Sequence, residues 1–403
     1  MTAVTSGNIP VGITDFEKLR NMNAVYIDKT SFLNSLLTSA VEVFHFLRPH
    51  GFGKTLSMSM LSTFMEMNYE NPEDRSRQEN LFRNLKVYKE NRKLCDEYMG
   101  RYPVISLSLK DTEGANFEEA AYRVIAIFAG LARKFNFLRK NKELDTLFLK
   151  RIQDFNNNTK PVFKRDGTMH GDAASLINDF LKRLAECLRL AYQKKVIVII
   201  DEYDVPLQKA TVHGYYDSML ILIRGIMSTT LKDDENIFKG YVTGCLRIAH
   251  QSIFTEVNNF KTFGIGDEAY SDFIGLTKDE TAKLLKDCGM ENRLPDVISW
   301  YDGYNLAGNE MLCPWSVLKF LSRALAEGND PATFQPENYW ANSSGNDIIE
   351  ICMKHATPGI SARLQNLIDG GTEEVRLREF TSYPEITGNT DFNVFATLML
   401  HTG

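Results

Sequence analysis

No Cys-x-x-Cys pair, secretory leader or membrane-length apolar run occurs in this 403-residue sequence, and each absence removes a class of protein. The six cysteines stand at 95, 187, 245, 288, 313 and 352, never closer than 25 residues, so neither a zinc ribbon nor a disulfide framework is encoded. Met1 to Pro10 lacks the basic and apolar regions of a signal peptide. No stretch approaches the ~18 apolar residues of a membrane span, and Val124–Ala132 is closed off by Arg123 and Arg133. A reduced, cytoplasmic chain without a membrane segment is the expectation. The histidines at 45, 50, 170, 213, 250, 355 and 401 form no HxxxH or Cys/His set, and neither a GxSxG elbow nor an aromatic RNA-binding pattern is present. Positive charge is in deficit, 46 Lys and Arg against 52 Asp and Glu for a net charge of −6. That balance argues against a whole-surface nucleic-acid binder and leaves room for a local basic patch, so a nucleic-acid partner stays open.

With 43% hydrophobic and 11% aromatic residues the chain has the composition of a globular protein, and its length suits two or three domains of roughly 150 residues each. Short β-branched runs alternate with helical patterns through the first 270 or so residues, which predicts an α/β fold with a parallel sheet flanked by helices. Five strands are expected, at Val41–Leu47, Val104–Leu109, Val196–Ile200, Phe238–Thr243 and Phe260–Ile265. The third is apolar throughout, as suits a central strand. Helices are expected at Phe117–Lys134, Ala173–Gln193 and Tyr215–Thr230. From about residue 273 the pattern turns mostly helical, opening on Thr277 and Glu280 at capping-box spacing. The division expected is therefore 1–272 and 273–403. Asn68–Asn80 and Asp154–Asp172 read as surface loops, as does the Tyr301–Asn305 stretch, followed by a helix with Pro314 in its first turn.

Chemistry concentrates in three segments. Arg48-Pro-His-Gly-Phe-Gly-Lys-Thr55 follows an apolar strand and precedes the helical run Leu56–Met67. That is the setting of a phosphate-binding loop: backbone N–H groups of Gly51, Phe52, Gly53 and Leu56 can face phosphate oxygens, Lys54 can reach the β- and γ-phosphates, and the Thr55 hydroxyl can ligate Mg²⁺. His50 lies inside the loop. Arg48 stands where the consensus has its first glycine, so the alternative is an ordinary strand-to-helix turn with an exposed lysine. The second segment, Val196 to Asp204, ends in adjacent carboxylates. Asp201 would hold Mg²⁺ and Glu202 would orient and deprotonate an attacking water, unless these acids merely cap the next helix. In the third, Thr243 is placed to sense a γ-phosphate and Arg247 to meet developing charge, with a surface ion pair as the alternative for the arginine.

Taken together with Ile9-Pro-Val-Gly-Ile-Thr-Asp-Phe16, Tyr26-Ile-Asp-Lys-Thr30, Tyr301-Asp-Gly-Tyr304 and Pro314-Trp-Ser316, these blocks resemble the bacterial AAA-ATPase-like family of P-loop proteins, often fused to a C-terminal PD-(D/E)XK nuclease-like domain. The family loop is similar to Arg-Pro-x-x-Phe-Gly-Lys-[Ser/Thr], so the resemblance makes Arg48 a family trait. It implies ATP and Mg²⁺ as ligands, an acid-bearing strand separated from the phosphate-loop strand by the Thr243 strand, and Mg²⁺-dependent ATP hydrolysis coupled to a conformational change. The alternative is a nucleotide-gated regulatory module with little turnover. Homo-oligomerisation is compatible with the resemblance, Pro10–Phe16 is a candidate neighbour of the base, and ATP is not distinguished from GTP. Phe392–Leu400 is nearly all apolar with nothing after it to cover it. The natural chain is therefore expected to continue past Gly403 into an effector domain.

Overall fold

The computed structural model describes residues 5–232, 234–246, 259–339, 353, 358–377 and 391–402. They fall into two compact units, one drawn from segments 1–40, 48–102 and 263–344, the other from 41–47, 103–262 and 345–403.

The second unit is built on a five-stranded, all-parallel sheet of β1 (Val43–Leu47), β2 (Val104–Ser108), β3 (Val196–Asp201), β4 (Ile237–Gly244) and β5 (Phe260–Phe263). Their order is β2-β3-β4-β1-β5, so the acid-bearing β3 is separated from β1 by β4, as expected. All six residues of β3 are buried, which is why this strand carries no polar residue before Asp201. The strands finish nearly level: Leu47 lies opposite Gly244, Ile200 opposite Val242, and Ser108 opposite Asp201. Ligands gather at this carboxyl-terminal edge in open α/β sheets.

The Phe117–Lys134 helix starts on an Asn116 side chain that accepts from the Glu119 N–H at 3.0 Å, and it ends on Arg133 and Lys134. Both ends thus suit the helix dipole. Its buried face, including Ala121, Ile125 and Phe128, repeats at helical spacing, and Phe128 stacks on Phe180 of the Gly171–Tyr192 helix at 4.8 Å.

The first unit holds the helices Lys278–Asp287, Leu294–Tyr301 and Pro314–Ala324 with a three-stranded antiparallel sheet, β6 (Leu276–Thr277), β7 (Tyr304–Leu306) and β8 (Asn309–Leu312), ordered β6-β8-β7. Their shared core contains Leu284, Leu285, Val297, Leu312, Val317 and Phe320, and Ile9 from the N-terminal block joins it. Thr277 and Glu280 form the capping box the spacing predicts. Glu280 also takes the buried ammonium of Lys29 at 2.6 Å, and the Asp272 carbonyl accepts from the same group at 2.7 Å. The Tyr26–Thr30 block is accordingly a structural clasp: Asp28 accepts from Thr30 and from the Lys86 N–H, while the Thr30 hydroxyl accepts from the Val87 N–H.

Three expectations need correction. Asn68–Asn80 is not wholly a loop, because the Ser76–Phe82 helix starts inside it and buries Gln78, whose amide donates to the Glu66 carbonyl at 2.6 Å. Tyr301–Asn305 is not a free loop either; Tyr304 opens the β7–β8 hairpin, whose turn is made by Ala307 and Gly308, both at positive φ. Phe392–Leu400 is not an uncovered run. It forms the helix Phe392–Thr402, with Phe392, Val394, Phe395 and Leu398 buried and the His401 ring 3.2 Å from the Cys245 carbonyl.

Candidate functional site

The residue after β1 is Arg48, and its guanidinium is fully buried rather than turned toward a ligand. It donates to the carbonyls of Phe263 and Gly264, both at 3.1 Å, and of Tyr270 at 2.8 Å. Burial lowers its pKa to about 10, against the raising influence of Asp267 and Asp272, so it stays charged at neutral pH. Where the consensus phosphate loop has a glycine, this chain has a side-chain anchor for the loop's first residue.

From that anchor the loop turns through Gly51 (φ +75°) and Gly53 (φ +89°) into the Lys54–Met65 helix. At Gly53 a Cβ would meet nothing within 4 Å, so glycine is required there by the left-handed backbone and not by space. The N-cap is Gly53, which has no side chain with which to cap the helix. The Lys54 amine folds back onto the loop, donating to the carbonyls of Arg48 at 2.8 Å and Pro49 at 3.0 Å, and the residue is 4% exposed. An ordinary turn with an exposed lysine does not have this geometry. The loop is braced from outside: the Trp315 N–H donates to the Gly51 carbonyl at 3.2 Å, and Phe52 is buried edge-on against Tyr304 at 4.8 Å. His50 is held neutral, its pKa pushed down to about 4 by burial and by the nearby Lys54 charge. Thr55 and Leu56 occupy the first helical turn, both partly exposed.

In the sheet unit, Asp201, Glu202 and Thr243 come together. The Thr243 hydroxyl donates to the Asp201 carboxylate and accepts from the Glu202 N–H at 3.2 Å. Both Asp201 and Thr243 are buried, whereas Glu202 is partly exposed. Glu202 has φ +55°, a left-handed conformation that a residue with a Cβ adopts only when its surroundings impose it. Here the imposed turn is fixed on both sides, since the Tyr203 N–H donates to the Thr243 carbonyl at 3.0 Å. Neither acid holds the N-cap position of the Val205–His213 helix, which belongs to Asp204.

Sequence reasoning missed Tyr203, Asp204 and Gly244. The Asp204 carboxylate accepts from the N–H groups of Cys245 at 2.8 Å and Leu246 at 2.9 Å, and the Tyr203 hydroxyl donates to the Leu246 carbonyl at 2.7 Å. These bonds bolt the segment after β4 to the turn after β3. A Cβ at Gly244 would stand 2.5 Å from the Tyr203 ring, so the glycine admits the aromatic side chain. The signal was a third acid and an aromatic residue directly after the Asp–Glu pair, opposite a strand ending in Thr–Gly. Arg247 lies outside the described residues. Among those described, no cluster of three His, Cys, Asp or Glu side chains could hold a metal, and no helix is long and apolar enough to cross a membrane.

The chain is 23% identical over 320 residues to an "Uncharacterized protein in vnfD 5'region" of Azotobacter chroococcum mcd 1, a match covering 77% of this chain and 51% of the relative. The chain therefore spans about half the length of that curated relative. The family described as "Predicted AAA-ATPase" matches residues 10–254, which take in the anchored glycine loop, β3 with its acids and β4 with Thr243. With well over half of its residues in that match, the chain belongs to the AAA-ATPase-like family.

Proposed function

We propose that the protein binds and hydrolyses ATP with Mg²⁺, using the loop Arg48–Thr55 for the phosphates and the β3 acids for the metal and the water. The observation that carries this reading is Lys54. Withdrawing an ammonium from water is costly unless carbonyls or anions replace the lost solvent, and the loop supplies two of its own carbonyls beside a helix start whose N-cap is a glycine. A triphosphate offers the same ammonium a stronger, charge-assisted partner, and it offers the helix N–H groups an acceptor. The oxygen donors of Thr55 and Asp201 are the type a hard divalent cation takes. Mg²⁺ bound by such donors would supply charge neutralisation on the nucleotide's phosphates. Glu202 accepts the proton of the attacking water, and Thr243 keeps Asp201 and the Glu202 backbone in place. Arg48 acts by anchoring the loop, His50 serves as a neutral donor, and Arg247 is assigned to developing charge on the sequence pattern alone. Nucleotide state is conveyed by a conformational change to an attached or partner effector.

Calorimetry with a slowly hydrolysed ATP analogue and Mg²⁺ tests the binding half. Lys54→Ala should weaken binding about 10- to 100-fold, the value of one or two lost charge-assisted hydrogen bonds, while thermal melting verifies that the variant is folded. Equal affinity in a folded Lys54→Ala variant would overturn the assignment. Single-turnover hydrolysis tests the other half. Glu202→Gln should slow the chemical step by roughly 10²–10⁴ with little change in analogue affinity. Wild-type protein that binds but turns over no faster than Glu202→Gln is instead a nucleotide-gated regulatory module.

A further inference from the structure

Although the chain is acidic overall, two of its segments carry no acid at all and several bases: five within residues 133–142 and three within 189–195. Both lie in the sheet unit, and they are neighbours. The short turn Asn136–Lys140 follows the Phe117–Lys134 helix and packs against the end of the Gly171–Tyr192 helix, where Phe137 meets Tyr192 edge-on at 6.5 Å. Arg133, Arg139, Lys140, Lys142, Lys194 and Lys195 are exposed there, and none of the six makes an ion pair among the described residues. Elsewhere in the same unit basic side chains often meet carboxylates, as Arg151 meets Asp172 and Lys209 meets Glu113. Within the patch runs an open groove of about 360 Å³ lined by Arg189, Gln193, Lys195 and Glu235. Arg189 is fixed in its wall by Asn236 and Glu235. Lys195 immediately precedes β3, so the patch sits at the end of that strand away from Asp201, a strand length of roughly 20 Å.

We propose that this surface binds the phosphate backbone of a nucleic acid. Six cations in one area, none ion-paired among the described residues, repel each other and gain most from a polyanion of evenly repeated charge, which displaces counterions as it binds. A protein partner would look for an apolar centre inside a polar rim, and a membrane surface for apolar side chains projecting past the cations. Among the large apolar side chains of these two segments, only Leu190 is exposed. Phosphate contacts carry no base information, so binding should be indifferent to sequence.

Fluorescence anisotropy with labelled mixed-sequence oligonucleotides, single-stranded and duplex, tests this on the full chain across about 50–200 mM salt. Binding should weaken steeply with salt. The charge reversals Lys140→Glu/Lys142→Glu and Lys194→Glu/Lys195→Glu should each lower affinity at least tenfold and flatten the salt dependence, by about 0.7–0.9 in the log–log slope for every phosphate that is no longer neutralised. Analogue binding at the phosphate loop should be unchanged in both variants, which separates a lost surface from a lost fold. Absence of oligonucleotide binding at the lowest salt, or equal affinity in the reversed variants, overturns the proposal. So does patch-dependent binding of polyglutamate or phosphatidylserine vesicles when oligonucleotides do not bind, because the surface then belongs to an acidic polypeptide or an anionic membrane.

Discussion

At the residue scale, the turn after β3 illustrates how one small side chain licenses several larger interactions. Tyr203 can lie over β4 and reach the Leu246 carbonyl only because position 244 has no Cβ, and the Asp204 carboxylate sits in the same space. Gly244→Ala places a methyl group 2.5 Å from the Tyr203 ring and 2.8 Å from the Asp204 carboxylate. Overpacking of this kind typically costs about 1–3 kcal/mol, and here it also pulls on the hydrogen bonds that position Thr243 beside Asp201. Urea denaturation should show that loss of stability in Gly244→Ala. Removing the ring should relieve part of it, so that Tyr203→Ala/Gly244→Ala is less destabilised than the sum of the two single changes. Additive losses would place the strain elsewhere.

At the element scale, the clasp between the N-terminal Tyr26–Thr30 block and the Lys278–Asp287 helix joins an ion pair to a helix cap through a single side chain. Glu280 closes the capping box with Thr277 and neutralises Lys29, whose pKa is lowered chiefly by burial and drawn back up by Glu280. Glu280→Ala should therefore destabilise by about 3 kcal/mol, the low end for breaking a buried pair, because the carboxylate keeps a quarter of its surface in water. Lys29→Met should cost less, since it removes the buried charge together with its need for a partner. A thermal melt in which Glu280→Ala matches wild type would reduce the pair to a surface contact.

Elements of this kind differ in how legible they were. Helix starts fixed by local chemistry, such as Thr277 with Glu280 and Pro314 at a first turn, were readable because their cause lies within four residues. Among the strands, β3 was the most readable because burial on both faces forces apolarity up to Asp201, whereas β5 is only partly buried and carries the exposed Lys261; the observed ends of the five strands differ from the expected ones by one or two residues. The Ser76–Phe82 helix was not, because polar Gln78 is held by carbonyls of Thr63 and Glu66 that are distant in sequence. Glycine spacing made the Arg48–Thr55 loop visible, but nothing local told that Arg48 anchors it on carbonyls more than 200 residues away.

At the scale of the whole molecule, acid stability should be governed first by two histidines, one in each compact unit. His50 and His401 are both held neutral by burial, with pKa values lowered from 6.5 to about 4; the Lys54 charge adds to the shift at His50, and the Cys245 carbonyl partly offsets it at His401. An unfolded chain protonates both near pH 6.5, whereas the folded protein resists until about 4. Between those values the unfolded state binds more protons, so the stability present above pH 6.5 is lost as pH falls toward 4. Each histidine contributes a slope of at most about 1.4 kcal/mol per pH unit. Net charge cannot produce the same trend at its onset. The chain carries −6 at pH 7 and is neutral near 5.8, so mild acidification first relieves self-repulsion, and most carboxylates titrate lower still. Urea midpoints measured from pH 7 down to 5 should therefore fall in the wild type. They should fall less steeply in His401→Asn, whose amide can still donate toward the Cys245 carbonyl without taking up a proton. A wild-type slope in that variant would assign the acid sensitivity to other groups, with His50→Asn as the next measurement.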